Sequence, residues 1–334
     1  MHGVMTQLDP ERYRLVTRSD FDGLVCAALL RQMDILGDVK FVHPKDVQDG
    51  KVELGRADIT TNLPFHAGVH LAFDHHSSET VRINRRHDNH VIWPDAESAA
   101  RVVYEYYGGA PRFPHISEEM MDAVDKADAA QFELSEILAP EGWVLLNFLM
   151  DPRTGLGRFR EFRISNYQLM MQLIDACTTM TVEQILATPD VAERVKLYRA
   201  HEAAAKEQIV RCAEVHDNLV VLDLRGEEII HPINRFAIYA LFPQCNISMH
   251  VLWGLRKQNT VFATGKSILD RSSATNVGEL MLAHGGGGHT AAGTCQVSNT
   301  RASTVLGELV ERITADELPV EEQPLRVGRP VSAR

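Results

Sequence analysis

A chain of 334 residues with 45% apolar content is long enough for two hydrophobic cores and too apolar to be disordered as a whole. A formal charge of -11 disfavours a coat protein of long nucleic acids, whose binding needs a basic surface. The five cysteines (Cys26, Cys177, Cys212, Cys245, Cys295) are scattered and never spaced as CxxC, which argues against a disulfide framework and a thiolate zinc site. No apolar run approaches the roughly 20 residues of a membrane helix, and Met1–Pro10 lacks a basic flank followed by an apolar stretch, so a cytoplasmic protein without a membrane partner is expected.

Residues Tyr13–Thr17 read as a short apolar strand, and Gly23–Met33 follow with helical spacing, so Ser19–Asp22 occupy the turn between them. Further strands are predicted at Val39–His43, Asp58–Leu63 and Val69–Phe73, and helices at Glu97–Tyr107 and Glu118–Ala127. Such alternation predicts an α/β domain with a doubly wound parallel sheet over 12–190, whose ligands gather outside the carboxyl ends of the strands. A charged, alanine-rich segment predicts one long connecting helix over 191–216. Strands return at Leu219–Leu224, Ile247–Leu255 and Thr260–Thr264, and a helix at Val277–Ala283 runs into HGGGGH, giving a smaller α/β domain over 217–315. Residues 316–334, rich in Pro, Glu and Arg, are expected to form a disordered tail.

Four segments deliver oxygen or imidazole ligands near predicted strand ends: Asp20 with Asp22, the Asp58–Asn62 strand, Asp74-His75-His76, and Asp125 with Asp128. That ligand chemistry suits Mn²⁺, Mg²⁺ or Fe²⁺. Each segment alone has a plainer explanation: helix N-caps for Asp20 and Asp22, solvated carboxylates for Asp125 and Asp128, and loop histidines for His75 and His76. Their convergence on one sheet edge favours a site. In His284-Gly285-Gly286-Gly287-Gly288-His289, a loop without side chains would let backbone amides approach an anion, with a flexible loop as the alternative. Lys266 and Arg271 could add fixed positive charge, whereas Arg82, Arg85, Arg86 and His87 read as solvated surface.

The motifs RSDFDG, TTNLPF, FDHHSSE, KADAAQF and GGGGH, in that order, resemble the DHH phosphoesterases with their C-terminal DHH-associated domain, over roughly Tyr13–Thr314. The resemblance implies that Asp20, Asp22, His75 and Asp128 are metal ligands, that Asp74 positions the site and that His76 faces the substrate phosphate. It also implies substrate contacts from Gly286, Gly287, Gly288 and His289 and, by a looser match, Arg271, to which Lys266 is added on its charge alone. Two positions depart from the pattern: Arg18 stands where the family has an additional His or Asp, and Asn62 where it has an aspartate that bridges two metals. An asparagine offers a neutral carbonyl to a metal but no charge to hold two cations together. The expectation is therefore one firm Mn²⁺ or Mg²⁺ site at Asp22, His75 and Asp128, and a weak or substrate-dependent second site to which His43 could contribute.

The expected activity is hydrolysis of short single-stranded oligonucleotides or small nucleotide phosphoesters by a metal-activated water. The alternatives are an exopolyphosphatase and a nucleotide- or phosphate-binding protein impaired in catalysis by Arg18 and Asn62. Phe65, Phe73 and Trp93 are the aromatic groups that could stack on a base, and a homodimer is common among relatives.

Overall fold

The computed structural model describes residues 12–76, 83 and 86–316. Arg82 and Arg85 of the basic stretch lie outside the described residues, as does the expected tail from position 317 onward. The chain divides into two compact units, one ending at Ala200 and the other beginning at His201.

The first unit is built on β1 (Tyr13–Arg18), β2 (Leu36–Val42), β3 (Asp58–Thr61), β4 (Leu71–Asp74) and β5 (His90–Ile92). These form a five-stranded sheet in the order β2-β1-β3-β4-β5, parallel throughout. After β2 the chain crosses to the other side of β1, so the switch point of the sheet lies between β1 and β3, where ligands collect in open parallel sheets. The register sets Thr17 beside Thr61 and Thr61 beside Phe73, which brings the residues following β1, β3 and β4 to one edge. A buried hydroxyl pair, Thr61 Oγ1 donating to Thr17 Oγ1 at 2.7 Å, ties the ends of β1 and β3 together there.

Helix α1 (Phe21–Gln32) is apolar on all faces from Gly23 to Leu30 and is buried from Phe21 to Leu30, with Asp22 the one charged group in that stretch. It is followed by α2 (Pro44–Gln48), α3 (Ala99–Tyr106), α4 (Glu118–Asp128), α5 (Leu134–Leu138), α6 (Gly142–Met150), α7 (Asn166–Thr179), α8 (Val182–Ala187) and α9 (Pro189–Cys212). Helices α3, α4 and α7 pack on α1 and enclose the first core.

The long helix expected over 191–216 ends at Cys212, and Ala213–His216 form a strand, β6. This strand pairs antiparallel with β7 (Leu219–Asp223) across a two-residue turn in which Asp217 takes φ of 50°. Hairpin pairing there outweighs the helical propensity of the preceding alanines.

The second unit continues with α10 (Ala237–Leu241), β8 (Ile247–Trp253), β9 (Thr260–Lys266), α11 (Val277–Ala283), β10 (Gly287–His289), β11 (Ala292–Val297) and α12 (Ala302–Asp316). Its six-stranded sheet runs β10-β11-β9-β8-β7-β6, with only the β7–β8 pair parallel. Met249, Val251 and Phe262 of the sheet join Val277 and Met281 of α11 and Val305, Leu309 and Ile313 of α12 in the second core. Asp316, the first residue of the expected tail, is the last of α12. Among the described residues no helix is long and apolar enough to cross a membrane.

Candidate metal centre

The centre begins where β1 hands over to α1. Gly23 has no substitute there, because a Cβ would run into the Arg18 carbonyl oxygen. Asp20 is extended and caps α1, its Oδ1 accepting from the Gly23 amide at 3.0 Å, while its Oδ2 lies 3.1 Å from Arg18 Nε. The plainer explanation of Asp20 as an N-cap is thus realised. Asp22, 2% exposed, turns inward instead. Its Oδ1 accepts from the Ala100 amide in the first turn of α3, and its Oδ2 from Asn62 Nδ2, both at 2.7 Å. Asn62 follows β3 with φ of 54°, a left-handed conformation that asparagine tolerates, and its Oδ1 is buried with no hydrogen-bond partner.

Asp74 ends β4 and organises the two histidines: its Oδ1 accepts from the His75 and His76 amides and lies 2.8 Å from His76 Nδ1. His75 Nδ1 lies 3.1 Å from the Ala96 carbonyl, which can only accept, so Nδ1 carries the proton. The segment bearing that carbonyl is itself tied to the motif, since the Trp93 amide donates to the Asp74 carbonyl. His75 Nε2 is buried, makes no aligned hydrogen bond and lies 2.8 Å from Asp128 Oδ2 at the end of α4. At that separation the pair needs either a proton on Nε2 or a cation between the two atoms.

Ligand atoms of Asp22, His75 and Asp128 all lie within 4.8 Å of one another. Burial, with Asp128 and Asp20 as like-charged neighbours, pushes the Asp22 carboxyl up to about 8. Burial alone would lower the His75 imidazolium, but Asp128, Asp22 and the Ala96 carbonyl outweigh it and hold it up at about 9. Crowded carboxylates, a fixed tautomer and the orphaned Asn62 Oδ1 fit a divalent cation with mixed oxygen and imidazole ligands.

The other acidic positions separate cleanly. Asp125, 6% exposed, accepts from Ser98 Oγ at 2.6 Å and Arg101 Nε at 2.7 Å, locking α4 to α3. Asp58 is paired with Arg14 at the opposite end of β3. Asp20 and Asn62 adjoin Asp22 but belong to neither group of three donors found among the described residues, Asp22-His75-Asp128 and Asp74-His75-His76. His43 also stands outside both groups; it caps α2, its Nδ1 accepting from the Lys45 amide at 3.2 Å. The Ala96 carbonyl and the Ala100 amide carry no side-chain signal and were missed from sequence. The Ser98 cap of α3, which fixes Ala100, was legible in principle as a serine opening an apolar helix.

In the second unit the glycine run is half turn and half strand: Gly285 turns the chain after α11, and Gly287 and Gly288 belong to β10. The Gly285 and Gly286 amides donate to Leu282 and Met281 carbonyls at the end of α11, and Gly287–His289 pair with β11. A Cβ at Gly286 would strike the Thr294 carbonyl and one at Gly288 the Ala292 carbonyl, whereas one at Gly287 would meet nothing within 4 Å. Close backbone approach thus explains Gly286 and Gly288. Lys266 Nζ donates to the Ser273 carbonyl at 2.8 Å, and Arg271 and His289 are exposed.

No protein-family profile and no curated protein matches the chain. Among solved structures it is similar to the pGpG-specific phosphodiesterase PggH from Vibrio cholerae, with 60% identity over 91% of this chain and 100% of that one, and a TM-score of 0.80. The chain belongs to the DHH phosphoesterase family. As a DHH phosphoesterase it is a hydrolase of the phosphodiesterase class. The family fold recurs in RecJ from Thermus thermophilus, in complex with Mn²⁺ (16% identity, TM-score 0.55) and with Mg²⁺ (15%, 0.52). These matches cover 92% and 94% of this DHH phosphoesterase but only 52% and 50% of the RecJ chains.

Proposed function

We propose that this phosphodiesterase hydrolyses short oligonucleotides of the pGpG type, using a divalent cation held by Asp22, His75 and Asp128. The observation that carries the proposal is the unaligned 2.8 Å approach of His75 Nε2 to Asp128 Oδ2 beside the buried Asp22. The substrate class is suggested by the specificity stated for the Vibrio cholerae relative. Mn²⁺ or Mg²⁺ suits the donor set, and Asn62 Oδ1 can add a neutral fourth donor. When bound, such an ion supplies Lewis acidity to a phosphoryl oxygen and acidifies water.

The chain's own residues do the rest. Asp74 fixes the ring of His76, which is 34% exposed on its side chain, so that its Nε2 can meet a phosphate oxygen or the leaving group. Trp93, 39% exposed and anchored through its amide to the Asp74 carbonyl, is the aromatic surface on which a base can stack. Phe73 is 1% exposed in the core and cannot do so. In the second unit, read as the DHH-associated domain over 217–315, the accessible anion contacts are Arg271, His289 and the backbone at Gly287 and Gly288. Gly286 serves packing and Lys266 holds the segment bearing Ser273. A cytoplasmic site of action suits a nucleotide substrate.

The test is a panel of pGpG, other dinucleotides, cyclic dinucleotides and inorganic polyphosphate, with Mn²⁺ and with chelator. Preferred metal-dependent cleavage of pGpG is expected. Preferred cleavage of polyphosphate, or undiminished turnover with chelator, would overturn the proposal.

A further inference from the structure

Beside the proposed ion site lies a permanent cation that the chain supplies itself. Arg18 Nε is 3.1 Å from Asp20 Oδ2, and the other Asp20 oxygen accepts from the Gly23 amide. Asn62 turns its amide nitrogen, not its oxygen, toward Asp22, so it donates to that carboxylate instead of adding a negative charge. The two groups of three donors among the described residues both draw on His75, and neither includes Asp20. His75 Nδ1 is committed to the Ala96 carbonyl, so only one ring nitrogen remains to serve an ion.

We infer that the Arg18 guanidinium occupies, beside Asp20, the place a second divalent ion would need, so that the centre takes one ion and Arg18 provides the second positive charge for the substrate phosphate. The inference rests on the proposed ion at Asp22, His75 and Asp128. A guanidinium suits this task because it keeps its proton, and its planar fork matches two phosphate oxygens. The Arg18 side chain is 32% exposed, enough to meet a ligand while leaning on Asp20.

The experiment counts Mn²⁺ bound per chain by equilibrium dialysis and calorimetry, with circular dichroism confirming that each variant is folded. The wild type should bind one equivalent, His75→Ala none, and the double variant Arg18→His, Asn62→Asp two. Two tight equivalents in the wild type, or no gain in the folded double variant, would overturn the role of Arg18 while leaving the ion site standing. No binding by the wild type would sink the ion site itself, and the inference with it. Arg18→Ala should raise KM for pGpG by about tenfold or more, the loss of a charge-assisted contact, with Arg18→Lys recovering part of it. An unchanged KM would remove Arg18 from the substrate.

Discussion

The acidic edge of the first sheet and the glycine run of the second unit treat their polar groups in opposite ways. At the edge, backbone amides and carbonyls lock side chains in place and leave two buried acceptors, His75 Nε2 and Asn62 Oδ1, without aligned partners. In the glycine run, the amides pair with the end of α11 or with β11, and side chains are absent at Gly286 and Gly288 because the β11 segment comes too close. Unmet demand within an otherwise satisfied surrounding calls for a ligand, and an ion is the one proposed above. Glycines explained by packing are weaker evidence of a ligand.

The largest expected effect tests the edge directly. Asp22→Ala and His75→Ala should each lower kcat by about a thousandfold or more, with Mn²⁺ binding lost and the fold kept, because the charge stabilisation supplied by an ion is worth several kcal/mol. Substantial turnover in either variant would place the ion elsewhere. Asp74→Asn should cost about 10- to 100-fold in activity, as expected of a group that orients others. A similar loss at Asp125→Asn without a fall in stability would mean that Asp125 does more than join α3 to α4.

Smaller effects sharpen the contrast with the glycine run. Trp93→Ala should raise KM for dinucleotides by about tenfold, the usual scale for losing a stacked base, and leave kcat nearly unchanged. Gly286→Ala should destabilise the chain by about 1–3 kcal/mol through overpacking, measured by denaturant unfolding. Gly287→Ala should leave stability unchanged, so any loss of activity there would report backbone approach to the substrate.

The gentlest probe is the pH dependence of the metal-free protein. His75 is held at about 9 against an ordinary 6.5, and its contribution to stability is present below the lower value and lost as pH rises through the upper. Asp22 is raised from 3.8 to about 8 and acts in the same direction, since its protonated form is favoured by the fold. With chelator, Tm should therefore fall as pH climbs from neutrality toward 9, and Mn²⁺ should offset that fall by replacing the protons. A Tm that rose over this interval would contradict the crowding of charge at the centre.

The sequence by itself determined the α/β class, the parallel first sheet and the residue types of the site, because strand and helix periodicities and the order of motifs are local properties. The motif order already singled out Asp128 over Asp125, and tertiary structure supplied the reason: Asp128 lies beside His75, whereas Asp125 is consumed by Ser98 and Arg101. It also turned the end of the predicted connecting helix into β6 and the second half of the expected glycine loop into β10. In each case the outcome hung on a partner distant in the chain or on a turn that closed a sheet, and local propensity carries no record of such partners.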